Sequence, residues 1–158
     1  MISRLPSHPL IHLIVLLNRL ALGWYFMLAG GWKVGEELST GLGTFYRGDS
    51  YQGRVPGWLP EVMAMAHGYA LPWVEMIFGA LLILGLFGRL VAGVLALLAL
   101  SIGVALLGAG DLLPRHHVMV FFALLLLLML IGPGRYSVDG MMAQLRRRDI
   151  APTSPASA

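Results

Sequence analysis

The sequence predicts an all-α integral membrane protein, a four-helix bundle of up-down-up-down topology with both termini cytoplasmic. Three observations lead there. Four apolar stretches, residues 10–34, 69–87, 90–109 and 115–132, fill most of the 158 residues, and each approaches the ~20 residues that a helix rising ~1.5 Å per residue needs to cross ~30 Å of hydrocarbon. Only 12% of the chain is charged and 58% is hydrophobic, with a mean hydropathy of +0.77; a soluble domain carries about 25% charged residues, and a water-soluble core of this length could not hide so much apolar surface. Twenty glycines complete the picture, because small residues let membrane helices approach closely.

Taken in order, Met1 to Pro9 is a short polar lead containing Arg4. The first span, residues 10–34, is longer than the ~7 to 15 apolar residues of a signal peptide and carries Asn18 and Arg19, so it reads as a retained helix. Residues 35–60 hold six glycines, two prolines and mixed charge, the composition of a long outer loop. Glu61 to His67 read either as a short interfacial helix or as an outward extension of the second span, residues 69–87, in which Pro72 is a kink or a first-turn proline. Gly85 to Gly88 close that span, and Arg89 lies in a turn too short to leave the membrane surface, so the second and third spans form an antiparallel hairpin. The third span closes at Gly108 to Asp111 and the fourth at Gly132-Pro133-Gly134. Residues 151–158, all Pro, Ser, Thr and Ala, have nothing to bury and read as a disordered tail.

Arg4, Arg89, Arg135 and the run Arg146 to Arg148 gather on the side of the termini. The opposite side sets Lys33, Arg47, Arg54 and Arg115 against Glu36, Glu37, Asp49, Glu61 and Asp111. By the positive-inside rule the termini face the cytoplasm and the loop faces out, as in a multi-pass protein of a bacterial-type inner membrane. The net charge of +3 and pI near 9.7 are explained by this orientation, so nucleic acid is not expected as a partner. The absence of cysteine excludes disulfides, thiol redox chemistry, thiolate zinc sites and cysteine-ligated iron–sulfur clusters. No metal site is expected.

In lipid the few ionisable residues inside the spans become the functional question. Arg19 either faces the bundle, with Asp139 as partner, or snorkels to the headgroups. Glu75, set among Trp73, Val74, Met76, Ile77 and Phe78, must be protonated or paired, with Arg19 or Lys33 as the cation. Lys33, His67, His116 and His117 fall near one level at the outer side, close to Trp32, Trp58 and Trp73. Such a grouping reads either as an interfacial belt or as a site. Read as a site, Glu75 and Lys33 are the catalytic candidates and Trp32, His67, Trp73, His116 and His117 the binding candidates, supplying the proton donor, cation and apolar wall that a quinone headgroup needs. A haem is disfavoured: His67 with His116 or His117 meets its need by level alone.

Arg19-Leu20-Ala21-Leu22-Gly23 leading to Phe26, Ala29-Gly30 and Lys33, then Glu75 and Gly79, then Leu84 to Ala92, and finally Gly132 to Asp139, resemble the DoxX/DoxD-like membrane family. The resemblance implies a four-helix membrane protein and places the family's charged positions at Arg19, Lys33, Glu75, Arg89 and Asp139. Of these, Arg19, Asp139 and Arg89 are expected in structural ion pairs. In its DoxD branch the family implies the small subunit of a thiosulfate:quinone oxidoreductase. The expected function is therefore a membrane subunit of a quinone-linked oxidoreductase, binding quinone or quinol between helices and docking a partner protein on the outer loop, rather than an enzyme acting alone. A non-catalytic anchor or assembly factor is the second reading, and a small-molecule or ion transporter the third.

Overall fold

The computed structural model describes residues 9–109, 112–132 and 134–150, and contains helices and turns with no strand among them. In order they are α1 (Pro9–Thr40), the short α2 (Thr44–Arg47) and α3 (Asp49–Gln52), α4 (Glu61–Leu84), α5 (Gly88–Ala109), α6 (Leu112–Ile131) and α7 (Val138–Ile150). Among the described residues α1, α4 and α5 are long and apolar enough to cross a membrane, while α6 contributes a shorter apolar run, His116–Ile131. Their outward faces are apolar: Leu17, Trp24 and Leu28 on α1, Ile77 on α4, Leu97 on α5 and Leu127 on α6 are all exposed. A surface of that kind is stable against lipid and not against water. The lead before Pro9, Asp111 and the tail 151–158 lie outside the described residues.

The helices pack as two antiparallel pairs, α1 with α4 and α5 with α6, joined by the α4–α5 hairpin. Glycine sets the first pair. A Cβ added to Gly30 would collide with the α4 backbone at Pro72 and Met76, and one added to Gly79 would collide with the α1 backbone at Met27. At Gly23 it would meet Gly79 O at 2.9 Å. Between hydrocarbon-solvated helices such backbone approach supplies the dispersion contacts that hydrophobic exclusion supplies in water. The second pair meets through Gly93 against Met129 and Gly103 against Met119. Leu22, Phe26, Leu82, Leu95, Leu125 and Leu128 fill the space between the pairs, and Phe121 of α6 contacts Tyr25 and Phe26 of α1 at ring-centroid distances of 4.6 and 6.2 Å.

Two expected boundaries need correction. The first span does not end at Val34, because α1 runs on to Thr40 and removes Gly35 to Thr40 from the expected loop. Gly35 is an isolated glycine in a helix, a cost of about 1 kcal/mol, and the buried positions Gly30, Val34 and Glu37 keep helical spacing across it. The stop comes at Gly41, whose φ of 117° requires glycine and whose N–H closes on Glu37 O at 2.9 Å. The second span begins at Glu61 rather than Tyr69, so the stretch before it extends the span, and Pro72 lies buried inside α4 without interrupting it.

At the far end of the bundle, α4 stops at Gly85 in the left-handed conformation, with Leu86 N–H reaching Leu81 O and Gly85 N–H reaching Leu82 O, the Schellman arrangement. Asp139 of α7 then accepts the N–H groups of Phe87 at 3.0 Å and Gly88 at 2.8 Å, satisfying donors at the α5 N-terminus with a charge of the favourable sign. Arg19 is buried beneath this turn and donates to Tyr136 O at 2.7 Å; Asp139 also acts on it electrostatically. Arg89 is exposed, its guanidinium against Gly132. The three residues expected in ion pairs thus lie at one end, with Asp139 serving chiefly as a cap.

Gly30→Ala and Gly79→Ala should each destabilise the detergent-solubilised protein by about 1–3 kcal/mol through overpacking. Gly35→Ala, whose added Cβ meets nothing within 4 Å, should instead stabilise it by about 0.4–1 kcal/mol. Thermal unfolding followed by circular dichroism checks both signs.

Candidate functional site

The other end of the bundle carries the site. There Lys33 of α1 reaches across the close α1–α4 seam, and its Nζ lies 2.5 Å from Glu75 Oε2. Glu75 is buried and Lys33 partly exposed, at 4% and 23% of their side chains, so the carboxylate is sealed in the seam while the ammonium looks out of it. Of the two cations that could pair with Glu75, Lys33 is the one in contact. Phe45 of α2 covers the ammonium, with Nζ 4.9 Å from the ring centroid, a cation–π contact.

Above the pair, α2 and α3 fold over the end of α4 as an aromatic roof. Tyr46 stands between Tyr51 and Tyr69, at 5.8 and 5.5 Å, and Phe45 lies 5.3 Å from Tyr51. Gly68 makes this possible, since a Cβ there would strike the rings of Tyr46 and Tyr51. The Tyr51 hydroxyl lies 2.7 Å from Ala64 O and 3.0 Å from His67 Nδ1, and His67 Nε2 lies 3.0 Å from the Ser101 hydroxyl, which donates to Leu98 O at 2.7 Å. A chain of polar groups therefore joins α3, α4 and α5. Burial, with Tyr46 alongside, pushes the Tyr51 phenol above its ordinary range, so Tyr51 keeps its proton and remains a hydrogen-bond donor at neutral pH.

Lys33 and this chain line a cavity of about 740 Å³ between the roof, α4 and α5, within the size range of small-molecule sites. Most of its wall is apolar. Trp58, Met63, Leu97 and Val104 line it and are also exposed, so it opens sideways onto the apolar flank of the bundle. Its polar groups are Lys33, Tyr51, His67 and Ser101, with Ser50 and Arg54 nearer the loop.

Of the residues singled out from sequence, Lys33 and His67 line the cavity and Glu75 holds Lys33 from behind. Trp32 points outward at 81% exposure, Trp73 is partly buried on α4 away from the cavity, and His116 and His117 are exposed at the start of α6. Common axial level did not bring these four to the cavity, because their helical faces differ. Tyr51, Ser101 and Phe45 were missed. Ser101 carried a signal, being the lone hydroxyl residue between 90 and 109; Tyr51, in a loop rich in aromatic and polar residues, carried none.

A family model described as DoxX matches residues 14–108, about three fifths of the chain. The chain belongs to the DoxX family. The match takes in both partners of the ion pair, the aromatic roof, His67 and Ser101, and stops before His116, His117 and Asp139. Comparison with curated proteins and with solved structures gave no match. With its apolar helices, DoxX membership makes this a multi-pass membrane protein.

The ion pair can be weighed by breaking it. Glu75→Leu should destabilise the protein, though by less than the ~3–5 kcal/mol of a fully orphaned buried charge, since Lys33 is partly exposed and can turn away from the seam. The double variant Lys33→Met, Glu75→Leu should recover most of that loss, as measured by detergent unfolding of all three proteins.

Proposed function

We propose that this DoxX protein is a membrane subunit of a quinone-linked redox complex, in the manner of the DoxD branch, and that a quinone or quinol headgroup enters the cavity from the side. The observation that carries the reading is the cavity wall itself, an apolar slot in which the Lys33 ammonium is fixed by a buried carboxylate and which has a hydrogen-bonded Tyr–His–Ser chain on a second wall. Those groups fit a flat ring with two polar oxygens. Lys33 Nζ would donate to one oxygen, and Ser101 Oγ, its own proton directed to Leu98 O, would accept from the hydroxyl of a quinol at the other. Leu71, Leu97 and Leu106 bound the ring between them. A quinone supplies two-electron, two-proton chemistry when bound; the protein's own part is to hold the oxygens, exclude water and handle protons. Glu75 does not line the cavity, so its part is to position Lys33 rather than to touch the ring.

The same reading takes α6 as a fourth span, with the termini in the cytoplasm of a bacterial-type inner membrane and the α2–α3 roof outside, where it offers a partner protein a docking face. The basic residues of the terminal side support that orientation.

Single cysteines placed in this cysteine-free chain at Ser50 and Gln144 test the orientation. An impermeant thiol reagent added outside intact cells should label Ser50→Cys and spare Gln144→Cys; the reverse pattern overturns it.

Trp58 on the cavity wall supplies a binding readout. A short-chain quinone should quench its fluorescence saturably, and Trp58→Phe should remove that component. Lys33→Gln should weaken binding at least tenfold, about 1.4 kcal/mol, and Glu75→Gln should weaken it less while the fold is kept. Quenching that does not saturate, or an affinity unmoved in Lys33→Gln, overturns the quinone reading and leaves the non-catalytic anchor in its place.

A further inference from the structure

We propose that Glu37, Lys33 and Glu75 form a proton-exchange site running up the α1–α4 seam, in which two carboxyl groups share one ammonium and one proton. The observation behind it is Glu37. It is 1% exposed, and neither of its carboxylate oxygens has a hydrogen-bond partner. A buried carboxylate in that condition is among the most costly groups a protein can hold, and the usual remedies are a cation or a proton.

Its position says which groups are in reach. Glu37 is seven residues beyond Gly30 and so lies on nearly the same face of α1, the face pressed against α4. Gly30 sits opposite Pro72 and Met76, so in an antiparallel pair Glu37 falls two turns further along, opposite the small buried residues Ala64 and Gly68. Lys33 precedes it by four residues, the spacing at which helical side chains meet. The ammonium that holds Glu75 is thus the cation nearest along the helix to Glu37. The other titratable or charged groups on the elements packed here include Tyr46 and Arg47 of α2, Tyr51 of α3, and Glu61, His67 and Tyr69 of α4; Arg47 and Glu61 are exposed, and Arg47 donates to Leu42 O. Tyr51 and His67 are committed to the polar chain, and Glu36 on α1 is exposed.

Two carboxylates and one ammonium would leave a net negative charge in the seam. One proton removes it. With Lys33 on Glu75, the proton resides on Glu37; when Lys33 swings to Glu37, Glu75 takes a proton up and Glu37 has given one off. Only O–H bonds form and break, and the total charge of the trio is the same in both arrangements. By helix rise Glu37 is about 6 Å beyond Lys33, under the roof, while Glu75 lies deeper. The site therefore connects the depth of the seam to the α2–α3 end of the bundle. Because Lys33 also lines the cavity, a proton given up by a hydroquinone hydroxyl there can enter the trio if Lys33 first passes one of its own to the Glu75 carboxylate and the neutral amine then takes up the hydroquinone proton; this last role rests on the quinone reading.

The test uses the full-length protein without quinone, so its result stands apart from that reading. A hydrophobic carbodiimide modifies protonated carboxyl groups in apolar surroundings, and peptide mass spectrometry locates the adducts. At neutral pH the wild type should carry about one adduct per chain, shared between Glu37 and Glu75 and favouring Glu37, with exposed Glu36 and Glu61 unmodified. Glu75→Gln keeps the shape of the side chain but releases Lys33 to Glu37, so labelling of Glu37 should fall at least tenfold. Lys33→Met should label both carboxyl groups. Unfolding midpoints establish that each variant is folded. The proposal is overturned by a wild type with no adduct at either residue, by Glu37 labelling that ignores Glu75→Gln, or by protection with sodium ions, which would make the trio a cation site.

Discussion

The close approach of α1 and α4 is the constraint on which the rest of this molecule depends. Gly23, Gly30 and Gly79 bring two backbones to distances at which no Cβ would fit, and the consequence is electrostatic as much as steric. A lysine is long enough to cross such a seam to a carboxylate on the facing helix, and the seam is tight enough to keep lipid and water from the carboxylate. Were the helices a side chain further apart, Glu75 would need its own water or proton, and Lys33 would have no fixed point from which to face the cavity. The same geometry continues upward to Ala64 and Gly68, whose small size admits both the Glu37 side chain and the tyrosine roof.

The two ends of the bundle are built on opposite principles. At the α7 end, polar groups are consumed by structure: Asp139 closes the N-terminus of α5, Ser137 accepts the Gly140 N–H at 3.0 Å as a cap for α7, and Arg19 holds a backbone carbonyl. At the α2–α3 end polar groups are bonded to one another as well, but three of them also border open space. Lys33, His67 and Ser101 all line a cavity, and Glu37 has no partner at all. Satisfied polar groups rigidify, whereas unsatisfied ones in a dry interior mark places where something is exchanged.

Much of this was legible in the sequence, and each failure has its own physical cause. Apolar runs located the spanning helices, and the suspicion attached to Glu75 was sound because an isolated carboxylate among Trp73, Val74, Met76 and Ile77 has few ways to exist. The end of α1 was misread because Gly35 and two glutamates look like a stop, although Glu37 continues the buried stripe. That error hid Glu37 by assigning it to a loop. Trp32, Trp73, His116 and His117 were grouped by height in the bilayer, and height is only one coordinate; the facing of each helix, which decides what meets, is set by where the glycines of its neighbour lie. Tyr51 and Ser101 come together from α3 and α5 through a fold in the loop that no local pattern encodes.

The contact of Arg19 with Tyr136 has a meaning in time. The two residues are 117 positions apart, so the arginine emerges from the ribosome and enters the bilayer with its helix long before its acceptor has been synthesised. Until then this hydrogen bond cannot form, and the charge must be answered in other ways, headgroups and water at the membrane surface among them. The turn that answers it, between α6 and α7, is made only after the four long helices of the bundle. Assembly is thereby given a built-in order, in which the first segment made completes its contacts only when nearly all of the chain exists.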